Sequence, residues 1–203
     1  MAKILANDGI SDSGKVALEE KGFQVITEKV DQDNLIETIN KEDIEVLLVR
    51  SATTARKELI DACPNLKIIG RGGVGMDNID VEYAKEKGLE VYNTPAASSS
   101  SVAELVFAHL FGMVRFLYES NRQMPLEGDG NFKSLKKAFS GGSELAGKTL
   151  GIIGFGRIGQ EVAKRAIGLG MNVLAHDKYT SEANITLKFF NGDKKTFTIE
   201  STP

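Results

Sequence analysis

The chain of 203 residues is 41% apolar and 26% charged, the profile of a globular protein with enough material for one large or two small domains. Its net charge of −3 comes without the clustered Lys and Arg that mark a nucleic-acid or membrane-surface protein, so neither partner is expected. No apolar run reaches the roughly 18 residues of a membrane span, and the opening MAKILANDGI reads as a mature strand, not a leader. The single cysteine, Cys63, has no partner for an internal disulfide and sits in no metal-ligand spacing. A reducing cytoplasm is the expected compartment, and no metal site is expected.

In chain order, short apolar runs near 3–6, 23–27, 46–49, 67–69 and 89–92 alternate with helical patterns near 13–21, 32–39, 57–62 and 81–87. Five strands with intervening helices predict an α/β fold with a doubly wound parallel sheet. Such sheets bind ligands in the loops beyond the carboxyl ends of their strands. Two of those loops carry chemistry: Arg50-Ser51-Ala52-Thr53 after the third strand, and Arg71-Gly72-Gly73-Val74-Gly75-Met76-Asp77-Asn78 after the fourth. Two arginines offer forked donors to a carboxylate or phosphate, and glycines expose backbone N–H groups that add to the same task. From the residues alone, two readings stay open: an anion site, or solvated arginines beside an ordinary turn.

Pro95 ends this unit, and 96–101 reads as a linker closing on Ser101 as a helix cap, with Glu104 completing a capping box. The apolar stretch from Val102 to Asn121 predicts one long helix, hydrophobic around most of its circumference, buried between domains or in a subunit interface. His109, within it, reads as a packing residue. The Gly- and Lys-rich segment 127–142 reads as a polar connection.

The strongest motif follows. The apolar run 149–153 leads into Gly154-x-Gly156-x-x-Gly159 and a helix patterned by Ile158, Val162, Ala163, Ala166 and Leu169. The first glycine permits the tight turn, the second lets backbone approach a pyrophosphate, and the third permits close packing of helix on strand. The N–H groups of the first helical turn then face the diphosphate. A second apolar strand covers 171–175 and Asp177 lies 18 residues after Gly159, where a carboxylate accepts the ribose hydroxyls of NAD. The 2′-phosphate of NADP would bring like charges to about 4 Å, roughly 4 kcal/mol at an effective dielectric near 20, so NAD is the expected cofactor. After Asp177 the period-two runs 184–190 and 195–200, around Asn191-Gly192-Asp193, predict a β-hairpin that leaves the sheet and shields its edge.

The stretches LLVRSAT, IIGRGGVGMDNIDVEYAKEKGLEVYNTP, SVAEL, ELAGKTLGIIGFGRIGQEVAKR and HDKY together resemble the NAD-dependent D-2-hydroxyacid dehydrogenases, over residues 3 to about 180. The resemblance implies a flavodoxin-like parallel-sheet substrate domain over 1–98 and the first half of a Rossmann NAD-binding domain over 99–203. It implies a small acidic substrate and a homo-oligomer, a dimer through the nucleotide domain and helix 102–121. By the same resemblance Arg50 and Arg71, with Ser51, bind the substrate's phosphate or carboxylate. The backbone of Gly73 and Val74 faces the carboxylate and nicotinamide, Arg157 and Ile158 sit with Gly154, Gly156 and Gly159 on the pyrophosphate, and Asp177 holds the adenosine ribose. Val74 stands where relatives carry Thr, and Ser98 where they carry Asn. The family's catalytic Arg, Glu and His lie downstream of residue 203, so no catalytic residue is expected within the chain, which reads as the front portion of a longer enzyme.

Overall fold

A computed structural model describes residues 1–202 and has the α/β fold expected from the sequence. The chain divides into two compact units, one of Met1–Ala97 and a second from Ser98 onward.

The first unit alternates β1 (Lys3–Ala6), α1 (Asp12–Glu19), β2 (Gln24–Ile26), α2 (Gln32–Lys41), β3 (Val46–Val49), α3 (Lys57–Ala62), β4 (Ile68–Arg71), α4 (Val81–Glu86) and β5 (Glu90–Asn93). The five strands are parallel in the order β2-β1-β3-β4-β5. This is the flavodoxin-like order, whose switch point lies between β1 and β3. Consecutive residues Ile4, Leu5 and Ala6 are all buried, which requires cover on both faces of the sheet. Leu35 and Ile39 of α2 and Leu59 and Ile60 of α3 join Leu5, Leu47 and Ile69 in one core, with Cys63 beside them. Burial pushes the Cys63 thiol up to about 11.

The second unit opens with α5 (Ser99–Val114) and α6 (Leu117–Ala138), then a 3₁₀ turn Phe139–Gly141, β6 (Thr149–Ile153), α7 (Arg157–Gly168), β7 (Asn172–His176), β8 (Glu182–Lys188) and β9 (Lys194–Thr202). The single helix predicted over 102–121 is two. Phe116 breaks it in the left-handed region at φ 53°, because the Ser143 N–H donates to the Val114 carbonyl at 2.9 Å and removes it from the helical ladder. Gly142 packs so tightly there that a Cβ would stand 2.9 Å from the same oxygen. The segment 127–142 is not a polar connection; most of it is helical, α6 running past a kink at Asn131 (φ −127°) to Ala138, where Leu135 is buried and Phe139 packs on Phe116 at 6.4 Å between ring centroids. That tertiary anchor outweighs the low helix propensity of Gly128 and Gly130. Ser98, not Ser101, precedes the first helical residue, so the expected capping box is absent. Glu104 and Ser100 instead take hydrogen bonds from the Arg165 guanidinium at 2.9 and 2.6 Å, which ties α5 to α7. His109 is exposed, contrary to the packing role expected of it, and Val102, Leu105, Val106, Phe111 and Met113 share that exposure.

The hairpin is present, paired antiparallel from Glu182↔Glu200 to Lys188↔Lys194. It does not leave the sheet. Ser201 and Thr202 pair in parallel with Ala175 and His176, and the sheet order is β6-β7-β9-β8. β9 thus takes the third-strand place of a Rossmann half-sheet, and β8 is the outer edge. Among the described residues no single helix is long and apolar enough to cross a membrane.

Candidate active-site loops

In the first unit, the carboxyl ends of β1, β2 and β3 converge at the switch point. Asp8, just past β1, accepts the N–H of Arg50 at 2.6 Å, the N–H of Thr53 at 3.0 Å and the Thr53 hydroxyl at 2.7 Å. From below, the buried Asn7 amide donates to Thr53 Oγ1 and to the Val30 carbonyl, and Asn78 donates to the carbonyls of Arg50 and Thr53 at 2.7 and 2.6 Å. Three polar side chains therefore fix the backbone of the 50–53 loop before any ligand arrives. Burial raises the Asp8 carboxyl, but the N–H donors, the Thr53 hydroxyl and the charge of Lys29 outweigh it and hold the group below its usual value. Asp8 stays ionised in its structural role.

The fixed loop borders a cleft of about 400 Å³ lined by Asn7, Asp8, Gly9, Thr27, Lys29, Arg50, Ser51 and Ala52. Arg50, Ser51 and Lys29 are exposed along it. Lys29 is the residue that sequence reading missed; the signal was its place three residues after β2, the strand that flanks β1 in this order. Two cations and a hydroxyl on one rim suit an anionic group.

Arg71 ends β4 and is placed differently. Its guanidinium donates to the Gly75 carbonyl, lies 3.9 Å from an Asp77 carboxylate oxygen, and leaves the side chain only 13% exposed. A Cβ at Gly73 would stand 3.0 Å from Arg71 Nη1, and one at Gly75 would stand 3.4 Å from it. The glycines of this loop make a bed for the guanidinium. The Gly73 N–H donates to the Arg71 carbonyl at 3.0 Å, and the Val74 carbonyl accepts from Asn93 at 2.7 Å, while the Val74 side chain is half exposed. Arg71 Nε is buried with no partner among the described residues. The two loops are neighbours, since a Cβ at Gly72 would lie 3.6 Å from Arg50 Cγ, but the Arg71 side chain does not line the cleft that Arg50 borders.

In the second unit, β6 runs into Gly154 at φ +96°, a left-handed turn that a side chain would strain. Gly156 precedes α7, and a Cβ there would meet nothing within 4 Å, so the space above the loop is open. Gly159 is the reverse case: its Cβ would stand 2.2 Å from the Gly154 carbonyl oxygen. Arg157 and Ile158 are exposed in the first turn of α7. Phe155, between the first two glycines, is fully buried and anchors the loop from below, a role the glycine spacing alone does not signal.

Asp177 follows β7. Its carboxylate accepts the N–H of Phe155 at 2.6 Å, of Tyr179 at 2.8 Å and of Thr180 at 2.9 Å. The Tyr179, Thr180 and Phe155 N–H groups together hold this carboxyl below its usual value. Of roughly four acceptor positions on a carboxylate, three are taken by these backbone N–H groups, which leaves about one free. An open glycine turn, a helix N-terminus and an ionised carboxylate across the loop are the fittings of a dinucleotide cradle. His176 is exposed beside Asp177. No cluster of His, Cys, Asp or Glu fit to hold a metal occurs among the described residues.

Residues 4–197 match the family described as D-isomer specific 2-hydroxyacid dehydrogenase, catalytic domain. The chain is 41% identical over 192 residues to a hydroxypyruvate reductase of Thermotoga maritima, covering 94% of this chain and 60% of that protein. It is 43% identical over 179 residues to a D-3-phosphoglycerate dehydrogenase of Methanocaldococcus jannaschii, covering 88% of this chain and 33% of that protein. The crystal structure of an NAD-dependent formate dehydrogenase from Staphylococcus aureus in complex with NAD superposes with a TM-score of 0.67 at 26% identity, over 89% of this chain and 57% of that one. The chain thus spans less than two thirds of each of these proteins.

Proposed function

The chain belongs to the D-isomer specific 2-hydroxyacid dehydrogenase family, and we propose that it forms the acid-binding cleft and the first nucleotide-binding half of an NAD-dependent D-3-phosphoglycerate dehydrogenase. The reaction is the oxidation of 3-phosphoglycerate to 3-phosphohydroxypyruvate, the opening step of serine biosynthesis. The observation that carries this reading is the cleft at the β1/β3 switch point, where Lys29, Arg50 and Ser51 share a rim on a prefixed loop. Arg71, in the adjoining loop, supplies a second cationic position for a substrate with a phosphate at one end and a carboxylate at the other. The backbone of Gly73 and Val74 orients the carboxylate end.

When bound, NAD supplies the acceptor for the hydride leaving C2. Gly154, Gly156 and Gly159 shape its cradle, Arg157 and Ile158 border the pyrophosphate, and Asp177 takes the adenosine ribose through its remaining acceptor position. Asp177 also disfavours a 2′-phosphate. Neither His109 nor His176 is assigned the substrate proton.

Calorimetric titration of the folded chain with NADH tests the cofactor half, with Asp177→Ala expected to weaken binding at least about tenfold, the equivalent of one lost charge-assisted hydrogen bond. Unchanged affinity in the variant would remove Asp177 from the site. The second reading, a hydroxypyruvate reductase, is favoured by the Thermotoga relative. In the full-length enzyme Arg50→Ala separates the two: selective loss of affinity for phosphoglycerate supports the first, and equal loss for unphosphorylated hydroxypyruvate supports the second.

A further inference from the structure

We propose that β8 is a self-pairing edge, through which two copies of this chain join antiparallel about Ile185 into one continuous sheet. β8 is the outermost strand of its sheet and has β9 on one side only. The hydrogen-bond phase decides which groups face outward. Phe189 N–H donates to the Asp193 carbonyl at 2.8 Å and Ser201 N–H to the Ser181 carbonyl at 2.7 Å, so the odd positions of β8 bond to β9. Alternation then leaves the N–H and C=O groups of Glu182, Asn184, Thr186 and Lys188 directed away from β9, at the open edge.

The strand EANITLK matches its own reverse. Paired antiparallel about Ile185, Glu182 meets the second copy's Lys188, Ala183 meets Leu187 and Asn184 meets Thr186. The pairs that meet through outward backbone groups are the even ones, as the phase requires. A slip of one residue sets outward groups against groups already bonded to β9, and a slip of two sets Glu182 opposite Phe190 or Lys188 opposite Thr180, losing the ion pairs. One register satisfies backbone and side chains together.

The charges of the isolated hairpin point the same way. Its register sets Glu182 directly opposite Glu200 and Lys188 directly opposite Lys194, a like-charge pair at each end. Like charges in that relation are destabilising. In the joined sheet each end becomes a row of two lysines from one copy facing two glutamates from the other, so the repulsion within each hairpin is offset by attraction between them. Isolated edges are commonly blunted by proline, bulges or inward charges. β8 has no proline, pairs without interruption from Glu182 to Lys188, and carries charge only where self-pairing meets the opposite sign. On the other face Ala183, half-buried against the core of this unit, and Leu187, also half-buried, gain cover from each other across the junction.

Sedimentation equilibrium of the full 203-residue chain at low salt tests this. The expected mass is twice 22.0 kDa. Lys188→Glu turns both symmetry-related ion pairs repulsive and is expected to weaken the dimer at least about tenfold. The charge swap Glu182→Lys/Lys188→Glu restores it. Thr186→Pro removes an outward N–H while leaving the β9 bonds, and is expected to give a monomer with an unchanged circular dichroism spectrum. A monomeric wild-type chain overturns the proposal. So does a dimer indifferent to Lys188→Glu and Thr186→Pro, which would assign the contact to another surface such as the exposed face of α5, and so does a charge swap that fails to restore association.

Discussion

The two sheets of this molecule are built from similar strands but meet solvent differently. In the first unit, neighbours along β1 are all buried, whereas in the second Ile152 is buried and Ile153 is 89% exposed, and Ala175 is buried beside Leu174 at 67%. The first sheet is therefore covered on both faces and the second on one, by α5 and α7. Loop rigidity follows a parallel division. The 50–53 loop is held from within by the buried amides of Asn7 and Asn78 together with Asp8, while the glycine turn of the second unit rests on the buried Phe155 and on the partly exposed carboxylate of Asp177. A site on a fully covered sheet can be preformed by its core; a site on a half-covered sheet needs a dedicated side chain to hold it.

The sharpest way to break this comparison is a matched pair of truncations. Leu47→Ala, in a strand covered on both faces, is expected to destabilise the first unit by roughly 2–5 kcal/mol in urea unfolding followed by circular dichroism. A cost below about 1 kcal/mol would show that the first core is not close-packed. Next in size is Gly159→Ala, whose methyl group would press on the Gly154 carbonyl from 2.2 Å; about 3 kcal/mol and a shifted α7 are expected, against little loss of stability for Gly156→Ala.

Asp8→Asn probes the loop instead of the core. It keeps the shape but weakens three hydrogen bonds, at about 1–2 kcal/mol, and should loosen the amides of Arg50 and Thr53 in hydrogen exchange while leaving the β6–β7 amides unchanged. The pH dependence has a fixed sign. Both Asp8 and Asp177 have folded-state values lowered from 3.8, so their stabilisation is fully present above that value and is lost as pH falls through the lowered one. Acid titration of Asp8→Asn should lack part of that loss in the first unit. The smallest effect belongs to Ile153→Ala, expected within about 0.5 kcal/mol; a cost equal to that of Leu47→Ala would mean that the outer face of β6 is covered in solution.

Alternation of apolar runs and helical patterns made the first sheet legible, because strands buried on both faces read as unbroken runs such as Ile4-Leu5-Ala6. The glycine motif was legible because each position answers to backbone geometry: Gly154 to its left-handed φ, Gly159 to the approach of a carbonyl. What escaped was set by contacts distant in sequence. The break at Phe116 depends on Ser143 reaching Val114, and Lys29 joins Arg50 only through the order of β2, β1 and β3. The packing of Arg71, as distinct from its place in the loop, was hidden for a subtler reason: glycines that advertise free N–H groups also make room for a guanidinium, and the folded loop uses Gly73 and Gly75 in that second way.

Cys63 offers an internal clock. It is the only thiol in the chain, it is 1% exposed in the first core, and its value of about 11 leaves on the order of one molecule in ten thousand as thiolate at pH 7. While the first unit stays closed, an alkylating reagent finds neither access nor nucleophile, so the rate of labelling at Cys63 counts the openings of that unit alone and times them independently of events in the second.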